Sequence, residues 1–177
     1  IAIVGKTGAG KSTLVNLLMR FYEVDKGTIT IDGTDIRHLT RDSLRQQFGM
    51  VLQETWLMDS SLRANLRYGR KSATDEEIYA VLKDAYMYDF VMRLPDKLDT
   101  IVGDAGVKLS DGQRQLLTIA RTMISQPSML ILDEATSSVD TLTEQKIQSA
   151  FLAMMKNHTS FVIAHRLSTI RHADVIL

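Results

Sequence analysis

Short apolar runs, bounded by glycines and polar residues, alternate along the chain with segments in which apolar residues recur at helical spacing. The runs lie at residues 1–4, 28–31, 48–52, 129–132, 160–164 and 175–177, and each has the length of a strand. Helical spacing is clearest in residues 78–85 and 116–123. Strands that alternate with helices predict an α/β fold whose mostly parallel sheet is flanked by helices on both faces.

The middle of the chain differs from its flanks because helical signals replace strand signals there. Capping boxes, which mark helix starts, occur at Thr74–Glu77 and Ser110–Gln113, and a third is expected at Thr141–Glu144. We therefore expect a single domain with two lobes. They are a catalytic core lobe of residues 1–60 and 127–177 and an inserted α-helical subdomain of residues 61–126.

Composition removes several classes of function. Lysine plus arginine and aspartate plus glutamate both number 21, so the net charge is zero, without the basic excess of a nucleic-acid-binding protein. No apolar run approaches the roughly 18 residues of a membrane span, and the absence of cysteine excludes disulfides. The chain opens and closes inside apolar runs, so we expect a fragment of a longer polypeptide, truncated at both ends.

The most informative stretch follows the first apolar run and matches the pattern G-x-x-x-x-G-K-[ST]. It consists of Gly5, Lys6, Thr7, Gly8, Ala9, Gly10, Lys11, Ser12 and Thr13. Glycines let successive N–H groups turn toward an anion, the lysine adds positive charge, and the next helix directs its positive end there. This pattern predicts a nucleotide-binding P-loop in which Ser12 offers its hydroxyl to Mg²⁺. The alternative is a glycine turn that only joins strand to helix.

Polar residues also follow three other predicted strands. They are Gln53, Asp133 with Glu134, and His165. Because α/β sheets bind ligands at the carboxyl ends of their strands, we expect these side chains to lie near the P-loop. Each has an ordinary alternative, since a carboxylate can cap the next helix, a glutamine can satisfy loop backbone and a lone histidine is usually not catalytic.

Together these residues supply what phosphoryl transfer to water requires, namely held phosphates, a metal that offsets their charge and a positioned water. Asp133 resembles the aspartate that holds Mg²⁺ in such sites. Gln53 can ligate the same ion and sense the γ-phosphate. Glu134 can accept the proton of the attacking water, and His165 can hydrogen-bond the γ-phosphate and orient that base.

With these residues in place, the chain resembles the nucleotide-binding domain of an ABC transporter over essentially its whole length. The motifs occur in the family's order: Walker A at Gly5–Thr13, the Q-loop at Gln53, the signature at Leu109–Gln115, Walker B at Met129–Glu134, the D-loop at Ser137–Asp140 and the switch histidine at His165. Residues 61–66, and residues 100–106 as an X-loop, resemble stretches typical of the exporter branch.

The resemblance implies a P-loop NTPase core of the RecA-like type, bound ATP and Mg²⁺, and an ATPase at the cytoplasmic face of the cell membrane that powers export. In this family two such domains, identical or different, meet head to tail. Ser110, Gly112 and Gln113 are then expected to serve the ATP on the partner's P-loop. The alternative is that Ser110 and Gln113 only cap their own helix. A transmembrane domain is the other implied partner.

The sequence departs from the family pattern at two places. Asp111 stands where glycine is usual, and its carboxylate suits its own helix dipole but adds negative charge near a partner's γ-phosphate, so we expect attenuated closure. The upstream aromatic residue that stacks on adenine is missing, so we expect weaker ATP binding than in an intact domain. Trp56 follows the Q-loop, where it either lines a groove for a membrane-domain helix or packs in the core.

Two other functions are consistent with parts of the sequence. A soluble ABC ATPase of chromosome maintenance or translation is disfavoured by the exporter-like stretches and the zero net charge. A regulatory module that binds ATP without hydrolysing it is disfavoured because such modules typically lack the carboxylate or the histidine, whereas Glu134 and His165 are both present.

Overall fold

The computed structural model describes residues 1–6, 8–104, 106–133, 139–164, 170–171 and 173–177. The chain forms two compact units. The sheet unit comprises Ile1–Met50, Pro127–Glu134 and Thr159–Leu177, and the helical unit comprises Val51–Gln126 and Ala135–His158. The expected lobe boundaries stay a prediction; in this division residues 51–60 and 135–158 belong with the helices.

The secondary-structure elements are numbered in chain order. In the described part of the chain, strands β1 to β8 are Ala2–Ile3, Thr30–Ile31, Thr34–Asp35, Phe48–Val51, Ser60–Ser61, Ile101–Val102, Met129–Asp133 and Thr159–Ile163. Helices α1 to α7 are Lys11–Leu18, Arg41–Gln46, Leu62–Arg67, Asp75–Asp84, Tyr88–Arg93, Asp111–Ser125 and Thr141–Met155. Short 3₁₀ helices lie at Ile36–His38 and Lys97–Asp99.

The main sheet of the sheet unit has the strand order β1, β8, β7, β4. Strand β8 pairs in parallel with both β1 and β7. The apolar run at the end of the chain lies beside β1, because the Ala2 N–H donates to Val175 O and the Leu177 N–H donates to Ala2 O, each at 2.8 Å. The predicted α/β fold with a parallel sheet and flanking helices is therefore confirmed.

An apolar core holds the flanking helices onto this sheet. Val15 of α1 and Leu44 of α2 pack in one cluster with Ile131 of β7 and Ile163 of β8. Leu44 and Ile131 are completely buried. Because α1 begins where the glycine loop ends, this cluster fixes the start of that helix relative to the two strands.

In the helical unit, α6 packs against α3, α4 and α7. Its Leu116, Leu117 and Ile119 are almost fully buried, as their helical spacing predicts. The capping boxes predicted at the starts of α4 and α6 are both present. Within the described ranges the longest helices have 15 residues, and no helix there has the length and apolar character that a membrane crossing requires.

The third predicted capping box, at Thr141–Glu144, is wrong. The N-cap of α7 is Asp140, whose carboxylate accepts the Thr143 N–H at 3.0 Å. An aspartate caps a helix at least as well as a threonine, so the cap lies one residue earlier than the pattern indicated. The hydrogen bond from the Thr143 backbone also holds the pKa of Asp140 below its usual range, because it stabilises the ionised carboxylate.

Replacement of Ile131 by alanine should lower the free energy of unfolding by about 2–5 kcal/mol, because it leaves a cavity beneath α1 and α2 in the core cluster. Leu152→Ala is the control: Leu152 is 63 % exposed on α7, and its loss should change stability by less than about 0.5 kcal/mol. Urea denaturation followed by circular dichroism measures both. Equal losses in the two variants would contradict the assignment of the core.

Candidate functional site

The glycine loop after β1 has a backbone that leaves room for a ligand. Gly8 and Gly10 have φ angles of +84° and +92°, in the left-handed region that favours glycine. At either glycine, no described atom outside the immediate chain neighbours lies within 4 Å of the position that a Cβ would take. Gly10 is also the N-cap of α1, so the unpaired N–H groups of the first helical turn follow directly.

Lys11 folds back onto this loop. Its Nζ donates to Gly5 O at 2.7 Å and to Lys6 O at 3.2 Å, and the Ala9 N–H donates to the same Lys6 carbonyl at 3.0 Å. The positive charge is thus held against loop backbone by two carbonyl acceptors. This arrangement prepares a cation beside the open space that the glycines provide.

The register of the sheet carries Asp133 to the same edge as the glycine loop. Ile3, the last residue of β1, is aligned with Ile163 of β8, and Ile163 is aligned with Asp133 of β7. Because both pairings are parallel, all three strands reach this edge with the same direction. Two strand spacings separate the backbones of Ile3 and Asp133, a distance of about 10 Å.

The oxygen donors on this edge suit a magnesium ion. Ser12, the second residue of α1, is exposed and has a hydroxyl, and Asp133 is half-buried at the end of β7. Hydroxyl and carboxylate oxygens are hard ligands of the kind that Mg²⁺ binds together with substrate phosphates. The residues present on this edge therefore fit both a phosphate group and its metal.

The other expected site residues fall into two groups. Thr7, Glu134, His165 and the D-loop residues Ser137 and Ser138 lie outside the described residues. Gln53 is exposed in the loop after β4, and it belongs to the helical unit together with Ser110, Gly112 and Gln113. The sheet unit thus brings together the glycine loop and Asp133, and the helical unit brings together the signature residues.

Ser110 and Gln113 cap their own helix. The Gln113 N–H donates to Ser110 Oγ at 3.2 Å, and the Ser110 N–H donates to Gln113 Oε1 at 2.9 Å. This reciprocal pair satisfies two N–H groups that the start of α6 would otherwise leave unpaired. The capping role considered in the sequence is confirmed, while a role toward a partner's ATP stays a prediction.

Gly112 allows the start of α6 to pack closely against the start of α7. A Cβ on Gly112 would collide with the Thr143 methyl group and would lie 3.1 Å from Val139 Cγ1. Thr143 is itself held by the N-cap Asp140. Glycine is therefore required here because Val139, at the end of the D-loop, and Thr143 of α7 lie so close to the α6 backbone. The sequence pattern did not reveal this reason.

Asp111 has a partner that the sequence analysis missed. Its carboxylate forms an ion pair with Arg114, one helical turn later, and Arg114 Nη1 also donates to Leu109 O at 2.7 Å. The i, i+3 spacing of opposite charges was a signal available in the sequence. Both side chains are more than one-third exposed, so the pair adds little stability, but it offsets the negative charge at the start of α6.

Trp56 lies on the surface and is 60 % exposed, so the core-packing alternative is wrong. Its ring meets Tyr68 edge to face, with centroids 6.2 Å apart. Arg121 Nη2 donates to Trp56 O at 2.5 Å, and its guanidinium carbon lies 5.8 Å from the Tyr68 ring centroid. We call Trp56, Tyr68 and Arg121 the aromatic surface.

Comparisons with known proteins place these observations in a family context. The profile of the ABC transporter family matches residues 1–137. The chain is 55 % identical over 177 residues to a fatty acid ABC transporter ATP-binding/permease protein of Mycobacterium bovis. The match covers 100 % of this chain and 28 % of that protein. It is 50 % identical to an ATP-dependent lipid A-core flippase of Desulfotalea psychrophila, again over 100 % of this chain and 31 % of the relative.

A solved structure is similar throughout the chain. It is a bacterial Atm1-family ABC exporter with ATP bound, which is 48 % identical with a TM-score of 0.87 and covers 99 % of this chain and 31 % of that one. The resemblance found in the motifs is confirmed, including its exporter character. The chain spans less than one-third of the length of these relatives.

Gly112→Ala should destabilise the protein by about 1–3 kcal/mol, because the new methyl group collides with the Thr143 side chain. A second substitution, Thr143→Ser, removes the colliding methyl group and should recover most of the loss. Thermal unfolding of the two single variants and the double variant measures this. Failure of the double variant to recover would show that Gly112 is not required by this contact.

Proposed function

The chain belongs to the ABC transporter family, and on this premise we propose that it is the ATP-hydrolysing domain of an exporter. Its reaction is the attack of water on the γ-phosphate of ATP, which yields ADP and inorganic phosphate. The domain works at the cytoplasmic face of the membrane. Binding of ATP closes two such domains on each other, and hydrolysis lets them reopen and resets the attached transmembrane domains.

The proposed roles follow the chemistry of each side chain. The N–H groups of Gly5–Thr13 hold the α- and β-phosphates, and Lys11 contacts the β- and γ-phosphates. Ser12, Asp133 and Gln53 would hold Mg²⁺, which when bound offsets the charge of the phosphate oxygens. Glu134 accepts the proton of the attacking water, and His165 hydrogen-bonds the γ-phosphate and orients Glu134.

The observation that carries this proposal is the common register of Ile3, Ile163 and Asp133. It supports a phosphate loop and an acidic strand end that act on one ligand. The alternative, a glycine turn that only joins strand to helix, does not explain why the Lys11 ammonium is held against the loop by two carbonyl groups. The ATP-bound state of the similar exporter also supports this assignment.

A second nucleotide-binding domain, from the same or a different chain, is the proposed partner at the signature motif. The Ser110 hydroxyl accepts the Gln113 N–H, and a hydroxyl that accepts one hydrogen bond still has a proton to donate. Capping of α6 and contact with a partner's γ-phosphate are therefore compatible. Ser110 is exposed, which supports contact between its hydroxyl and a partner domain.

The transmembrane domain is the second proposed partner, and the aromatic surface is where we expect it to bind. Trp56 and Tyr68 are 60 % and 64 % exposed and lie edge to face. Exposed aromatic residues backed by an arginine are typical of protein interfaces. The position of Trp56, three residues after Gln53, supports a link between this contact and the nucleotide.

The similar proteins favour an exporter over a soluble ATPase. Those named above carry ATP-binding and permease functions or are called a flippase or an exporter. Hydrolysis is favoured over a purely regulatory role because Glu134 and His165 are both present in the sequence.

Glu134→Gln tests the proposed function. In the full-length protein this change should lower phosphate release at least 100-fold, because the amide cannot accept a proton from water, while ATP binding is retained. Glu76→Gln, an exposed carboxylate in the first turn of α4, is the control. Phosphate release that is equal in wild type and Glu134→Gln would refute the catalytic assignment.

Asp111→Gly should tighten the ATP-dependent closure of the two domains severalfold. It removes a negative charge near the partner's γ-phosphate and leaves the Arg114 cation without its ion pair. Arg114→Gln should have the opposite effect, because it exposes the Asp111 charge. Fluorescence energy transfer between labelled domains, titrated with ATP in the full-length protein, measures closure. Unchanged or weaker closure in Asp111→Gly would contradict this prediction.

A further inference from the structure

Asp59 lies where two segments of the helical unit meet. One segment runs from Gln53 to β5, and the other is the loop after β6 that contains Gly103 and Asp104. Asp59 Oδ1 accepts the Asp104 N–H at 2.8 Å. The two residues are separated by 45 positions in the chain, so this bond ties together segments that are remote in sequence.

The hydrogen bond between Asp104 and Asp59 lies just beyond the last residue pair of strands β5 and β6. Strands β5 and β6 are antiparallel, with Ser61 aligned to Ile101 and Ser60 to Val102. The next aligned pair would be Asp59 and Gly103. At this point the carboxylate of Asp59 accepts the next N–H along the loop, where a backbone carbonyl would serve in a longer ladder.

The backbone conformation of Gly103 and its lack of a side chain allow this contact. Its φ angle is +116°, which glycine adopts more readily than other residues. A Cβ at Gly103 would collide with the Asp59 carboxylate. The loop backbone therefore turns directly over the carboxylate, and both the conformation and the space depend on glycine.

Met58, the residue before Asp59, is fixed to α3. The buried Asn65 side chain accepts the Met58 N–H at 2.8 Å and donates to Met58 O at 3.0 Å, and Asn65 is only 1 % exposed. Arg121 holds the same segment at Trp56 O. The backbone of this segment is thus held at Trp56 and Met58, and the Asp59 side chain holds the loop beyond Gly103, so a displacement of the segment is passed to that loop.

We propose that Asp59 is a positioning residue that makes the segment after Gln53 and the loop at Gly103–Asp104 respond together to nucleotide. The inference rests on the proposed function, in which Gln53 contacts Mg²⁺ and the γ-phosphate. Asp59 touches neither nucleotide nor metal in this scheme. It transmits the state of the Gln53 segment to the loop at Gly103–Asp104, next to the pairing of β5 with β6.

Millisecond hydrogen–deuterium exchange on the full-length protein in lipid nanodiscs tests this, with and without MgATP. In wild type, MgATP should change exchange in peptides covering residues 53–59 and residues 100–107. In Asp59→Ala, the response of residues 53–59 should remain and that of residues 100–107 should be lost. Exchange near Asp104 should also be about tenfold faster without nucleotide, because its acceptor is gone.

Matched variants separate positioning from general destabilisation. Asp59→Asn keeps an acceptor oxygen and should restore the response of residues 100–107. Gly103→Ala should abolish that response by pushing the loop from the carboxylate. Asp84→Ala, an exposed carboxylate on α4, should leave both responses as in wild type.

The outcomes distinguish this inference from the proposed function. If residues 100–107 still respond to MgATP in Asp59→Ala, or do not respond in wild type while residues 53–59 do, Asp59 does not link the two segments. If Asp59→Ala speeds exchange in residues 100–107 by the same factor with and without MgATP, so that the difference between the two states persists, Asp59 has a structural role only and the inference is overturned. If wild type neither hydrolyses ATP nor responds anywhere, the proposed function fails as well.

Discussion

The parallel hydrogen-bond ladder from β1 through β8 to β7 is the constraint on which the candidate site depends. The Val162 N–H donates to Ile1 O and the Ala164 N–H to Ile3 O, at 2.9 and 3.1 Å. These bonds fix the height at which β1 ends relative to its neighbours. A one-residue slip would move the end of β1 relative to Asp133 and turn the side chains of β1 to the opposite face of the sheet. The ladder therefore sets the position of the glycine loop and Asp133 as strictly as it sets the core.

Outside the strands and helices, side-chain hydrogen bonds hold the backbone in position. Lys11 holds the glycine loop by its carbonyls, and Asn65 holds Met58 by both of its backbone polar groups. Asp140 and Ser110 hold the starts of α7 and α6. In each case a loop or helix start is ordered by a specific donor or acceptor, because its own N–H and C=O groups have no ladder or complete helix to join.

Charge is balanced locally as well as globally. The net charge of zero is reflected in close pairs, such as Asp111 with Arg114 and Asp35 with Arg37. The hydrogen bond from Arg37 lowers the pKa of Asp35 to about 2. At the signature motif, Asp111 stands where the family usually has glycine, and the Arg114 cation offsets its charge. Arg114 therefore reduces the negative charge at the start of α6.

The sequence by itself determined the fold class, the family and the candidate residues, because strand and helix periodicity, capping boxes and phosphate-loop spacing are local properties of the chain. It misjudged the cap of α7, where Asp140 competes with Thr141, and it left open whether Trp56 is buried. Only the tertiary structure decided that Ile3 and Asp133 share a register, that Gly112 is required by Thr143, and that Asp59 meets Asp104. Those facts depend on contacts between residues that are distant in the chain, and no local pattern encodes which of them will meet.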